Sequence, residues 1–260
     1  MKTKGKIFLP EFSHSPIDIH SHFNMGTKYD CKDDPLMRRD FAFLEQVYKN
    51  AGVTQVGVSS FASVLWQTES IVEENENLYK MTEHTDWVYQ WVVIDPRQKK
   101  TYEQAEKLLK YEKTLGIKIH PDYHGYKILE YGDELFSFAD KHKAFVLMHP
   151  QSIADMLTFA DKYPNMKLII AHLGEMSQIE VIEKARYGNI YTDTSGGASA
   201  YNNIIEYAVE RIGSEKIFFG TDTYSYAFQF GRIALSGLCT EDKENILWKN
   251  ALREFPRAFK

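Results

Sequence analysis

Apolar and polar positions recur along this chain in a fixed order: a short β-branched run, then a longer stretch with helical spacing. The runs are Ile17–His20, Val53–Ser59, Trp87–Ile94, Gly116–His120, Ala144–His149, Lys167–His172, Asn189–Asp193 and Lys216–Thr221. Each has the length and composition of a buried strand. The segments between them read as amphipathic helices. In Thr101–Leu115, positions Ala105, Leu108, Leu109 and Glu112 follow the i, i+3, i+4, i+7 spacing, and Thr101 with Gln104 predicts a capping box. Asp34-Pro35 predicts the cap and first turn of a helix running through Tyr48, and Thr240 predicts the cap of the last helix, through Glu254. Strands that alternate with helices imply parallel βαβ units, and eight such units close into an α/β fold of the (β/α)8 TIM-barrel type. An open doubly wound sheet is the competing arrangement. Against it, no Gly-x-Gly-x-x-Gly follows any of the runs, and the polar residues that end them need a common mouth to converge on. The two longest excursions, Phe23–Asp34 and Thr223–Cys239, follow the first and eighth runs and are expected at that mouth.

Length and charge narrow the picture without changing it. A chain of 260 residues, 43% hydrophobic and 26% charged, can bury one sizeable core, so a single domain over residues 1–260 is expected. The net charge of −5, with no long Lys/Arg block, argues against nucleic acid or a membrane surface as partner, since both are anionic. No apolar stretch suits a signal peptide or a membrane span, and a cytoplasmic location is expected. Cys31 and Cys239 are the only cysteines; they form no Cys-x-x-Cys knuckle and are expected as free thiols.

The candidate chemistry lies in where the polar residues fall. The first run continues Asp18-Ile19-His20-Ser21-His22, and in extended backbone residues two apart share a face, so His20 and His22 project together. The fifth run ends at His149, the sixth at His172, and the eighth leads into Asp222. Neutral imidazoles with a carboxylate suit Zn²⁺, or Mn²⁺ or Fe²⁺ in a more oxygen-rich shell. A lone histidine is more often a satisfied polar residue than a ligand, and His14, His84 and His142 are read that way. Five of the nine histidines, however (His20, His22, His120, His149, His172), fall at the ends of predicted strands, which a structural role does not explain.

Six segments carry a family resemblance in chain order: Ile17-Asp18-Ile19-His20-Ser21-His22-Phe23, Gly116-Ile117-Lys118-Ile119-His120-Pro121, Val146-Leu147-Met148-His149, Ile169-Ile170-Ala171-His172-Leu173-Gly174, Tyr191-Thr192-Asp193-Thr194-Ser195-Gly196 and Phe219-Gly220-Thr221-Asp222. With them the chain resembles the amidohydrolase superfamily, in the amidohydrolase-related branch that contains aminocarboxymuconate-semialdehyde decarboxylase. The resemblance implies that His20, His22, His149 and Asp222 bind one divalent ion, zinc in the first instance, and that His172 orients or protonates beside it. Asp222 and His172 are then the catalytic pair. The implied reaction is hydrolysis of an amide, ester or lactone of a small molecule; non-oxidative decarboxylation of a small carboxylic acid is the alternative, and a barrel that has lost catalysis is a third reading. In binuclear members a carbamylated lysine on the fourth strand bridges two ions. Lys118 occupies that strand, but one ion is the expectation, with Lys118 and His120 as pocket groups for substrate. Arg97, after the third run, is either a clamp for a substrate carboxylate or a loop arginine tied to carbonyls. Asp193 is either a support for a histidine or a turn cap, and Tyr224 and Tyr226 are either pocket lining or loop packing. Family members are commonly homodimers.

Overall fold

The computed structural model describes residues 11–24, 40–64, 70–201, 203–223 and 226–259. Eight strands form one parallel sheet in sequential order: β1 (Ile17–Phe23), β2 (Gln55–Ser60), β3 (Val88–Val93), β4 (Thr114–Ile119), β5 (Phe145–Met148), β6 (Lys167–Ile170), β7 (Ile190–Asp193) and β8 (Ile217–Phe218). Backbone bonds from Ile19 N–H to Phe219 O (3.0 Å) and from Asp222 N–H to His20 O (2.7 Å) bring the end of β8 onto β1, so the sheet curls into a (β/α)8 TIM barrel. Around it run α1 (Phe41–Ala51), α2 (Phe61–Val64), α3 (Ile71–Glu83), α4 (Lys99–Leu108), α5 (Pro121–His124), α6 (Ile128–Lys141), α7 (Ile153–Lys162), α8 (Met176–Lys184), α9 (Ile204–Ile212), α10 (Tyr226–Ala234), α11 (Thr240–Glu244) and α12 (Asn250–Glu254). None of the described helices is long and apolar enough to cross a membrane.

The strands are nearly all buried along their length because helices cover one face and the barrel interior the other. Trp91 fills part of that interior, its indole N–H donating to Ile19 O across the barrel (2.7 Å). Gly57 and Gly116 make the room. A Cβ at Gly116 would sit 2.4 Å from Phe145 O and 2.8 Å from the Trp91 ring, and one at Gly57 3.0 Å from the Trp91 nitrogen.

All eight predicted strands are present, with shifted ends. The helix boundaries moved more. α4 starts at Lys99 after Gln98, so Thr101 lies inside its first turn; its hydroxyl donates to Asp95 O and Gln98 O rather than capping, and Gln104 reaches Val72 O instead of closing a box. The helix through Tyr48 begins at Phe41, capped by the Asp40 carboxylate on Phe43 N–H; Asp34-Pro35 lies outside the described residues. Thr240 is the first residue of α11, after Cys239, and a π-helical turn over Asn245–Lys249 separates α11 from α12. Cys239 is a free thiol, and Cys31 lies outside the described residues.

Candidate active site

Parallel strands of a closed barrel point their C-terminal ends at one mouth, and the loops beyond them carry the chemistry. His20 and His22 leave β1 on one side despite a register shift between Asp18 and Ser21, their rings 5.3 Å apart. His149 follows β5, His172 follows β6, and Asp222 follows β8. Two of these five residues have left-handed backbone: His172 at φ 61° and Asp222 at φ 53°, with Thr223 at 62°. That region is costly for residues with a side chain and persists where the surroundings enforce it. Under His172 sits Gly196, itself at φ 70°, where a Cβ would lie 2.7 Å from His172 Nδ1. The chain therefore turns sharply at each point to aim a side chain into the mouth.

The Nδ1 atoms decide which way the histidines face. His20 Nδ1 donates to Asp193 Oδ2 at 2.9 Å, His22 Nδ1 lies 2.9 Å from Ser59 Oγ and 3.3 Å from Ser59 O, and His172 Nδ1 donates to Ser195 Oγ at 2.8 Å. Ser195 Oγ in turn donates to Asp193 Oδ1. With their protons held on Nδ1, His20, His22 and His172 turn Nε2 lone pairs towards one another. His149 differs: its Nδ1 is buried without a partner among the described residues, its ring stacks on His120 (4.1 Å), and its Nε2 lies 2.5 Å from His172 Nε2.

The ligand-type atoms meet in two overlapping groups, each within 4.8 Å: His20, His149 and His172, and His20, His22 and Asp222. Asp222 Oδ1 is 3.1 Å from His22 Nε2 and 3.9 Å from His20 Nε2, and its Oδ2 is 3.8 Å from His172 Nε2. Lys118, wholly buried, places Nζ 2.8 Å from His20 Nε2 and donates to that lone pair. Burial lowers the His20 pKa to about 3, helped by the Lys118 charge, so the ring is neutral at pH 7. Burial likewise pushes His149 well below the usual range. Lys118 falls to about 8 through burial, partly offset by Asp222 and Asp193. For Asp222 burial acts upward, but its neighbours His22, His20 and His172 outweigh it and hold the carboxyl below the usual range. Imidazole nitrogens grouped in this way around one carboxylate are a donor set that could hold a divalent ion.

An open pocket of about 640 Å³ leads to this cluster, lined by His120, Tyr123, His149, His172, Asp122 and Glu175 among others. His120 stands in its wall, between the rings of Tyr123 (4.0 Å) and His149. Arg97 is not brought to the cluster. Its guanidinium holds Asp95 at 2.9 and 2.7 Å and His124 O at 2.6 Å, so the loop-arginine alternative describes it. Asp193 supports His20. Tyr226 packs in α10 against Phe219 and Phe230, and Tyr224 lies outside the described residues. Sequence reasoning missed Ser59 and Ser195. Both fall at strand ends, but serine is too common there to mark a site.

Fold and site together define a TIM barrel with a histidine–carboxylate centre at its C-terminal mouth. A family model described as amidohydrolase matches residues 17–257, and the chain belongs to that family. No curated protein matches the sequence. Among solved structures, 5-carboxyvanillate decarboxylase from Novosphingobium aromaticivorans, complexed with manganese, superposes with a TM-score of 0.75 at 12% identity, over 94% of this chain and 96% of that one. A dihydroxybenzoic acid decarboxylase from Polaromonas sp. JS666 with bound manganese gives 0.69 at 14%, over 94% and 97%. A probable 2-pyrone-4,6-dicarboxylic acid hydrolase from Acinetobacter baumannii gives 0.67 at 13%, over 94% and 100%. At such identities the likeness is one of fold.

Proposed function

We propose that this protein is a metal-dependent hydrolase acting on an amide, ester or lactone of a small molecule, with one divalent ion held by His20, His22, His149 and Asp222. The observation that carries this reading is the Asp222 carboxylate set 3.1 Å from His22 Nε2, 3.9 Å from His20 Nε2 and 3.8 Å from His172 Nε2. A divalent ion there supplies Lewis acidity, lowering the pKa of water towards ~7 and polarising a substrate oxygen. Asp222 then accepts a proton at a carboxylate oxygen. His172, held through Nδ1 by Ser195, presents Nε2 to orient water or pass a proton to the leaving group. Asp122 and Glu175 on the pocket wall make it a poor host for a polyanion and favour a neutral substrate. Arg97, engaged by Asp95, supplies no carboxylate clamp.

Zinc is the first expectation for three imidazoles and a carboxylate, and manganese is the ion in two of the structural relatives. Buried Lys118 beside His20 Nε2 supports, as a second reading, a carbamate bridging two ions. Decarboxylation of a small carboxylic acid is the alternative activity, supported by the decarboxylases among the structures of the same fold. The two activities separate in H₂¹⁸O. Protein loaded with Zn²⁺ or Mn²⁺ is incubated with a panel of lactones, esters, amides and hydroxybenzoates, and products are read by mass spectrometry. One ¹⁸O incorporated per turnover is expected. Release of CO₂ with no ¹⁸O in the product overturns hydrolysis.

A further inference from the structure

We infer that Asp18, together with Tyr48 and Thr221, forms a buried clamp that sets the strand-one histidines against Asp222 and thereby positions the metal site. This rests on the metal-site reading above. Asp18 is fully buried and accepts four hydrogen bonds: at Oδ1 from His20 N–H (3.0 Å) and Thr221 N–H (3.1 Å), at Oδ2 from the Tyr48 hydroxyl (2.8 Å) and the Thr221 hydroxyl (2.6 Å). Tyr48 OH lies a further 2.9 Å from Ser21 Oγ. One carboxylate thus ties together the backbone of a histidine ligand on β1, the residue before the carboxylate ligand after β8, and helix α1.

The need for such a clamp follows from the shape of the chain here. The β8 ladder covers only Ile217 and Phe218, so regular pairing ends before Asp222 is reached. Asp222 and Thr223 then take left-handed backbone, which neither residue favours unaided. Beyond the Asp18 contacts, the segment is fastened to β1 by Asp222 N–H on His20 O (2.7 Å) and by Thr223 Oγ1, which donates to His22 O and accepts from His22 N–H, each at 3.1 Å. All of these bonds join the Asp222 turn to the His20-Ser21-His22 segment. Released from Asp18, the turn has fewer restraints in the conformation that brings Asp222 Oδ1 to His22 Nε2. The four bonds of Asp18 go to backbone N–H groups and hydroxyls rather than to an imidazole or to the Asp222 carboxylate, so its part is positional.

The test uses the full chain, stripped with EDTA, as wild type, Asp18→Asn and Tyr48→Phe. Co²⁺ and Mn²⁺ are titrated against a competing chelator, the visible spectrum of the Co²⁺ form is recorded, and the metal-free melting temperature is measured. Asn at 18 must turn an amide NH₂ towards donors, so affinity is expected to fall by about 10–100-fold, as for other supports of metal ligands, with a shifted Co²⁺ spectrum. Tyr48→Phe removes one of the four donors and is expected to give a smaller loss in the same direction; it decides the matter should Asp18→Asn not fold. Folded variants with wild-type affinity and spectrum, whatever their melting temperature, overturn the clamp alone. A wild type that binds neither ion overturns the metal-site reading and the clamp with it.

Discussion

Gly196→Ala tests how the site is held, and Gly197→Ala beside it is the control. At Gly196 the backbone has φ 70°, and a Cβ would lie 2.7 Å from His172 Nδ1 and 3.1 Å from its Cε1. Non-bonded atoms settle at ~3.5 Å or beyond, so the imidazole must move and its 2.8 Å bond to Ser195 must lengthen or break. Left-handed backbone costs alanine about 1 kcal/mol relative to glycine, and overpacking a filled site adds about 1–3 kcal/mol. The sum, about 2–4 kcal/mol, corresponds to a fall in melting temperature on the order of 10 °C for a domain of this size. At Gly197 φ is −86° and a Cβ meets nothing within 4 Å. Gly197→Ala should therefore be neutral or stabilising by up to ~1 kcal/mol, through the unfolded chain. The assay is thermal unfolding of both variants in EDTA, followed by metal content and turnover after reloading. Gly196→Ala should melt well below Gly197→Ala, keep its metal and lose turnover, since the proposed mechanism sets His172 to work beside the ion without binding it. Equal melting temperatures would refute the packing argument, and loss of the metal would make His172 a ligand.

Three further outcomes follow from the site. Metal-free protein should lose stability as pH falls from about 6.5: His20 has its pKa lowered to about 3 and His149 is depressed by the same burial, so the unfolded state takes up protons that the folded state refuses. Each such group contributes a slope of up to ~1.4 kcal/mol per pH unit, and Asp18, whose carboxyl burial raises to about 7, offsets one of them over the same range; urea midpoints that stay flat or rise between pH 7 and 5 would contradict the neutral cluster. Lys118→Met should leave one equivalent of metal by elemental analysis, with affinity kept or improved since a buried cation is gone; a wild type holding two equivalents that both disappear on Lys118→Ala would establish the carbamate bridge. Arg97→Ala should lower stability by ~1–3 kcal/mol, because Asp95 is left as a buried charge while the guanidinium is about a third exposed. Metal affinity should not change, and a selective loss of carboxylate binding would restore the clamp role of Arg97.

What the sequence determined by itself was the periodicity and the strand ends. Eight apolar runs with helices between them admit few folds, and the parallel order closed into the expected barrel because each run can bury both faces only there. His20, His22, His149, His172 and Asp222 were legible for the same reason: a strand end in a parallel barrel has one destination. Helix caps were less legible, since Thr101 and Thr240 have capping chemistry at positions where tertiary packing began the helix earlier. Tertiary structure alone decided which groups support the clustered histidines. Ser59, Asp193 and Ser195 fix ring tautomers, and Asp18 meets Thr221 across 203 residues of chain. A pattern of spacings along one strand carries no record of the neighbour it will meet through ring closure. Arg97 shows the limit in the other direction: a loop position allows a clamp or a tether, and the buried carboxylate of Asp95 chose the tether.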